Sequence, residues 1–448
     1  MLSHNLVLAN KISNAFATSA FLLNVTNISK FLGPALRTSI SSNMIKRWQE
    51  KWLRELLKVR RGVHLTGVRQ CGKSTLAGII ASDNTRLLKL DDSSILKAAQ
   101  DDPTTFVDRK PGETLIIDEV QKAPELLNAI KMKVDVDNSP GQYLITGSSN
   151  LHFVKAVSDS LAGRLGRIRL RTVSLGELVG SNGNFLSMAF AREFPSTCEK
   201  FDKRDIIHQA CRGGYPEPME YSERLRQHWY SEYIDDLLTR DIAAVTEIRK
   251  LESLRAVFNW LLTYSSKFFE VHDLCAASSL SRESVSNYIA ALKALYLFDE
   301  VLPWSNNEYT KLGKRSKYFA ADAGLLPNIL KLNEDKIYYD DSFCGKLVET
   351  WVYHELASMV DRNISLKLTQ YRDSDKHEID FMIENPYGEL LGIEVKAGSV
   401  SPEDFQHLRW FARTLAKSKF TGIVLYSGNI TLGFGDGFYA VPLRALGA

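Results

Sequence analysis

One eight-residue stretch, Gly67-Val68-Arg69-Gln70-Cys71-Gly72-Lys73-Ser74, limits what this chain can fold into more than any other. It fits G-x-x-x-x-G-K-[ST] in full. It follows an apolar run, Val63-His64-Leu65-Thr66, and opens a helical stretch from Lys73 to Ala81. Strand, loop and helix are the context this motif requires. Its glycines let backbone N–H groups approach phosphates closely, and the helix N-terminus adds its positive dipole end. Lys73 brings a point charge to the β- and γ-phosphates, and Ser74 offers a hydroxyl to Mg²⁺. The loop from Gly67 to Thr75 is therefore the expected binding site for ATP with Mg²⁺.

Further signals follow in order. Leu115-Ile116-Ile117-Asp118-Glu119 is an apolar strand ending in two acids. That pattern puts Asp118 beside the metal and leaves Glu119 to orient or deprotonate a water. A third run, Tyr143-Leu144-Ile145-Thr146, ends at Gly147-Ser148-Ser149-Asn150. Ser148 is expected to read the γ-phosphate or hold the water. Asn150 competes for that role, and both types are also good helix N-caps. Arg164, in Leu161-Ala162-Gly163-Arg164, is expected to steady the transferring phosphoryl, in cis or from a neighbouring subunit. Arg167 is its rival, and a plain surface arginine is the alternative to both. Together with Arg86 to Leu90 and Ile168 to Arg171, these runs predict five strands separated by helices. Such alternation gives a parallel sheet covered on both faces.

The 448 residues carry a net charge of +3, so nucleic-acid contact would have to come from local basic patches. Cys71, Cys198, Cys211, Cys275 and Cys344 lack CxxC spacing. That speaks against a zinc site or disulfide framework and fits a reducing, cytoplasmic setting. No run of 18 apolar residues exists, so no membrane span is expected. Residues 1–49 hold no Asp or Glu, which fits either a transit peptide or an upstream start with Met44 opening the first domain.

The chain divides into an extension at 1–43, a P-loop domain at 44–185 and a helical lid or linker at 186–250. A smaller unit at 251–330 and an α/β domain at 335–448 follow. In the smaller unit, helix, turn, helix and hairpin read as a winged helix. Its second helix carries Arg282, Ser284, Ser286, Asn287 and Lys293; the next loop carries Lys311, Lys314, Arg315 and Lys317. These are candidates for DNA phosphates and bases. Glu283 and Glu308 oppose that reading, and such units also serve as protein-packing modules.

In the last domain Glu349 lies on an expected helix, Asp380 on a strand, and Glu394-Val395-Lys396 ends the next strand. Residues two apart on a strand face one side, so Glu394 and Lys396 are expected to share a site with Asp380. Carboxylates so clustered bind Mg²⁺, which activates water; Asp380 and Glu394 are the expected ligands, and Gln406 is a further candidate.

The set Gly67 to Ser74, Asp118-Glu119-Val120-Gln121, Thr146-Gly147-Ser148-Ser149 and Leu161-Ala162-Gly163-Arg164 resembles a group of prokaryotic AAA+ ATPases. Their C-terminal domain, of uncharacterised function, resembles the PD-(D/E)XK nucleases. The resemblance continues through Gly213-Gly214-Tyr215-Pro216-Glu217, Tyr233 to Asp241, and Phe319 to Leu325, and covers nearly everything from Met44 onward. It implies an α/β fold: an AAA+-like parallel sheet with a helical lid, a winged helix and a PD-(D/E)XK-like domain. It also implies an ATPase, coupled to a nuclease-like and DNA-associated domain, with a homo-oligomer as the family's usual assembly. The alternative is a nucleotide-dependent switch that binds a partner through an inactive nuclease-like domain. A metabolic kinase leaves the winged helix and the acids without a role.

Overall fold

The computed structural model describes residues 44–148, 161, 163–242, 250–306 and 315–448. The extension at 1–43, together with Ser149, Asn150, Ala162, Glu308, Lys311 and Lys314, lies outside the described residues. Helices of at least eight residues are numbered below.

The first unit runs α1 (Gln49–Leu57), β1 (Gly62–Thr66), α2 (Lys73–Ile80), β2 (Thr85–Lys89), α3 (Ser93–Asp101), β3 (Thr114–Asp118), α4 (Leu126–Val136), β4 (Tyr143–Gly147) and β5 (Leu165–Arg169). All five strands are parallel, in the order β2-β3-β4-β1-β5. Every residue of β1 and β4 is buried, as expected of interior parallel strands sandwiched by helices. β5 is an edge strand, and its outward Arg167 is exposed. β5 starts at Leu165, earlier than the apolar pattern suggests, because Leu165 pairs with Gly62 at the start of β1. Since β4 lies between β1 and β3, the chain leaves all three at one edge of the sheet. The P-loop, the two acids and Ser148 are thereby gathered there.

Helices α5 (Lys203–Arg212) and α6 (Glu223–Asp236) come next, and a π-helical turn at Leu237–Asp241 closes α6. The smaller unit holds α7 (Leu251–Thr263), α8 (Val271–Ser278), α9 (Arg282–Ala294) and an antiparallel hairpin, β6 (Phe298–Val301) with β7 (Lys317–Ala320). Gly213 explains one conspicuous turn. Its φ is 70°, and a Cβ there would come within 2.4 Å of both Asp322 Oδ1 and Tyr230 Oη. Asp322 in turn accepts hydrogen bonds from Thr172 Oγ1 (2.6 Å) and the Gly214 amide (2.8 Å). The glycine-rich turn thus lets three segments meet at one buried carboxylate.

The C-terminal unit has α10 (Asp341–Val360), β8 (Lys367–Arg372), β9 (Glu378–Glu384), β10 (Leu390–Val395), α11 (Gln406–Thr414), β11 (Phe420–Tyr426), β12 (Leu432–Gly433) and β13 (Phe438–Pro442). The sheet order is β12-β13-β11-β10-β9-β8. Alternation along β9 sends Phe381 and Ile383 into the core shared with α10, and Met382 into the core shared with Leu408 and Phe411 of α11. β12 and β13 are absent from the sequence reading: glycines at 433, 435 and 437 and the closing Pro442 mask the alternation. The hairpin abuts this sheet, since the Trp304 amide donates to the Gln370 carbonyl at 2.6 Å and Gln370 returns a bond to Leu302.

Two edges of the molecule are wired together by charge. Arg169 and Arg171, leaving β5, both bind Asp299 of β6, at 2.7 and 2.6 Å. Arg171 also binds Asp361, just after α10, at 2.7 Å, and Tyr353 of α10 donates to Asp299 at 2.7 Å. Burial alone would raise the Asp299 carboxyl, but the two guanidiniums outweigh it and hold it well below the usual carboxylate range.

Candidate functional site

The loop after β1 needs its glycines. Gly67 has φ 148°, and a Cβ there would sit 2.1 Å from the Leu170 carbonyl oxygen. Gly72 has φ 102°, and Gln70 takes the left-handed region at φ 63°. Val68 and Cys71 are buried beneath the loop, while Gln70, Ser74 and Thr75 stay exposed. The loop is anchored from several sides. Arg47 donates to the Cys71 carbonyl at 2.7 Å and pairs with Glu177 at 3.1 Å. Arg69 pairs with Asp241 at 3.0 Å, and Tyr233 Oη donates to the Arg69 carbonyl at 2.9 Å. The P-loop is thus tied to the helical segment that follows the sheet.

Lys73 is buried, and its ammonium donates to the carbonyls of Gly67 and Val68, both at 2.9 Å. No carboxylate pairs with it among the described residues. Ser74 Oγ donates to Asp118 Oδ1 at 3.0 Å. Thr146 at the end of β4 also donates to Asp118 Oδ1, and its hydroxyl accepts the Glu119 amide at 3.1 Å. Glu119 is half-buried in the left-handed region, φ 62°, a conformation that costs a non-glycine residue on the order of 1 kcal/mol. Ser148 Oγ donates to Glu119 Oε2 at 3.3 Å; Gln121 Nε2 donates to the same oxygen and to Ser148 Oγ, the latter at 2.8 Å. These residues fit ATP and Mg²⁺: a cradle of backbone, a buried ammonium held by two carbonyls, and a hydroxyl beside a carboxylate.

Arg164 is elsewhere. It precedes β5, whose first residue pairs with the first residue of β1, so it stands at the sheet edge opposite the P-loop. Five residues of strand separate the two edges, about 16 Å. Its guanidinium binds Asp135 of α4 at 2.5 Å. The cis role expected for Arg164 is therefore overturned by the direction of β5.

The C-terminal acids do converge. Ile393 pairs with Phe381, which sets Glu394 beside Asp380, and the Val395 amide donates to Asp380 Oδ2 at 3.0 Å. Glu349 reaches the cluster from α10. Lys396 follows the last residue of β10; its ammonium pairs with Asp404 at 3.0 Å, and its charge also acts on Glu394 and Asp380. The lysine at the cluster is Lys317 of β7. It is 1% exposed and lies 3.0 Å from Glu349, 2.7 Å from Glu378 and 3.3 Å from Asp380. Its expected role on DNA phosphates is excluded by that burial. Burial alone would lower its pKa; the three carboxylates outweigh this and raise it. Glu349 and Glu394 are both pushed up, first by burial and then by the Asp380 charge. Gln406 opens α11 as an exposed residue.

Sequence reasoning gave no role to Gln121, Thr146 or Arg47, and it gave Lys317 a different one. Gln121 carried a faint signal, two residues beyond Glu119. Lys317 carried no signal for the acid cluster, because its basic neighbours made it read as a phosphate contact.

Residues 59–179 match the family model described as AAA domain. This segment, which carries the P-loop, is similar to AAA domains. Residues 203–336 and 344–446 match two models each described as a domain of unknown function (DUF8612 and DUF4143). Uncharacterized proteins of Mycobacterium bovis and Mycobacterium tuberculosis are each 23% identical over 394 residues, covering 86% of this chain and 82% of theirs. One from Methanocaldococcus jannaschii is 22% identical over 346 residues, 73% of each chain. Among solved structures, the Thermotoga maritima RuvB Holliday junction branch migration motor aligns with a TM-score of 0.26 and 18% identity, covering 56% of this chain and 88% of that one. The S. cerevisiae Hsp104–ADP complex aligns at 0.27 and 10%, covering 72% and 44%. None of the described helices is long and apolar enough to cross a membrane.

Proposed function

We propose that this chain binds ATP with Mg²⁺ at Gly67–Thr75 and hydrolyses it, with Glu119 as the base, to drive its attached modules against a nucleic-acid partner. The observation that carries the reading is the contact between Ser74 and Asp118 across two strand ends, beside an ammonium that no acid among the described residues neutralises. Lys73 exchanges two carbonyls for phosphate oxygens, a gain in charge-assisted bonding. Mg²⁺ bound by Ser74 and Asp118 would neutralise charge on the β- and γ-phosphates. Glu119 accepts the proton of the attacking water, and Ser148 and Gln121 hold its carboxylate in place.

Coupling to the other modules is supported by Arg69–Asp241 and by the Arg169–Asp299–Arg171 cluster, which begin within a few residues of the P-loop and of β5. DNA association rests on the exposed Arg282, Ser286 and Asn287 of α9; Lys293 pairs with Glu300, and Arg315 with Glu270. The nuclease-like reading of the last sheet rests on Glu349, Asp380 and Glu394 meeting in one place. Arg164 is left a role across a subunit interface. The test is phosphate release and nucleotide binding by the full chain beside Lys73→Ala. Release should fall about 10²-fold or more and ATP affinity should drop with it. Equal ATP binding by both proteins would end this reading.

A further inference from the structure

The carboxylates of the last sheet already hold a cation. An ammonium has three N–H donors and no acceptor. Lys317 Nζ has three carboxylates around it, Glu349 at 3.0 Å, Glu378 at 2.7 Å and Asp380 at 3.3 Å, so its donors are all used. Asp380 is engaged on both oxygens: Oδ1 faces Lys317, and Oδ2 accepts the Val395 amide. Mg²⁺ requires oxygens at about 2.0–2.1 Å in octahedral array. The Lys317 ammonium, bonded to Glu349, Glu378 and Asp380, takes volume beside Asp380 that a divalent ion shared with Glu394 would need. As folded, the residues do not fit a divalent ion.

Lys317 is also fixed in place. Its strand pairs with β6 through Val301, the Ser266 amide donates to the Tyr318 carbonyl at 2.9 Å, and the Ala320 amide donates to Ser265 Oγ at 3.1 Å. The Phe268 ring packs 5.0 Å from its ammonium. Its side chain carries the charge of the hairpin into acids supplied by α10 and β9.

We propose that Lys317 is the resident cation of this cluster, clasping the β6–β7 hairpin to the C-terminal sheet, and that a divalent ion enters only when Lys317 is gone. Metal-dependent cleavage at these acids therefore requires Lys317 to leave. The inference stands apart from the ATPase reading, whose failure would show in the Lys73→Ala comparison and not here.

The test is Mn²⁺ titration of the full chain, without nucleotide, read by electron paramagnetic resonance. Asp118→Ala is placed in every protein, so that the P-loop contributes no ion. With Lys317 intact, no Mn²⁺ binding sensitive to Asp380→Asn is expected. Lys317→Met should gain one bound ion and a melting temperature that rises with Mn²⁺; adding Asp380→Asn should abolish both. Lys317→Arg, which keeps the charge, should gain nothing. The proposal is overturned if the Lys317-intact chain binds Mn²⁺ and Asp380→Asn removes it, or if folded Lys317→Met gains none. Should Lys317→Met fail to fold, the titration of the intact chain against Asp380→Asn decides the matter alone.

Discussion

The two acidic sites of this molecule use the same parts in opposite ways. At the P-loop, a buried lysine meets carbonyl oxygens and, among the described residues, no carboxylate, while the neighbouring acids, Asp118 and Glu119, are held by Ser74, Thr146, Ser148 and Gln121. At the last sheet, a buried lysine is surrounded by carboxylates. The first arrangement leaves a positive charge underused, so an anion gains by arriving. In the second the lysine's donors are already bonded to acids, so an anion gains nothing there and a cation at Asp380 must displace the ammonium. Motif residues mark where chemistry is possible; the partner of the lysine decides whether the site is ready.

The largest effect that sharpens this contrast is expected at Glu119. A positioned general base contributes about 10²–10⁴-fold. Glu119→Gln should lower ATP turnover by that order while leaving ATP binding intact, which phosphate release and a nucleotide-binding assay would separate. Unchanged turnover would mean that the poised site is poised for binding alone.

The next largest effect tests the wiring between the two sites. Asp299 is buried between Arg169 and Arg171, and removing one partner of a buried pair costs about 3–5 kcal/mol. Asp299→Ala should lower unfolding free energy by that order in a denaturant titration. The pH dependence has a definite sign. The folded-state pKa of Asp299 lies below the unfolded one. Its stabilisation is therefore present above the ordinary carboxylate range and is lost as pH falls below that range toward the folded value. The acid-side loss of stability should be smaller in Asp299→Ala than in the natural chain. An equal loss in both would assign the acid sensitivity to other carboxylates.

Much of the first site was legible because its signals are local. A glycine spacing, a lysine and two acids after an apolar run identify themselves within a few residues, and β1, β3 and β4 are short apolar runs of the right length. What escaped depended on direction or distance. Arg164 looked like a neighbour of the phosphates, but a parallel β5 carries it to the opposite edge. Lys317 and Glu349 are 32 residues apart and on different elements, so nothing in either's surroundings announces the pair. The tie of Lys396 to Asp404, eight residues on, was equally out of reach of a two-residue period. Helix α9 starts at Arg282 because Ser281 caps it, its hydroxyl accepting the Ser284 amide, and serine is a local signal for such a start.

A smaller effect probes how Glu119 is held. A hydrogen bond to a charged group is worth about 1.5–3 kcal/mol, and Gln121 gives one to Glu119. Gln121→Ala should lower kcat by about tenfold with KM for ATP little changed, the pattern of an interaction that matters in the transition state. In a Glu119→Gln background the same change should cost almost nothing, because the two act as one unit. Additive losses would mean that Gln121 supports the fold and not the base.

The smallest effect is expected at Arg164, and it separates the two positions an arginine can take relative to a phosphate. Within one chain Arg164 faces Asp135 and the far edge of the sheet. Removing it from an isolated chain should therefore leave turnover unchanged. The proposed role across a subunit interface requires a contact with a neighbour's P-loop, which can form only when chains associate. Turnover per chain of the natural protein should then rise with protein concentration, in step with association measured by sedimentation. Arg164→Ala should start from the same rate at low concentration and fail to rise. If the variant is slower even where both proteins sediment as single chains, the arginine acts within its own subunit, and a rearrangement of β5 would be needed to bring it there. If both rise together, assembly activates the site through other residues, and Arg164 serves only its ion pair with Asp135.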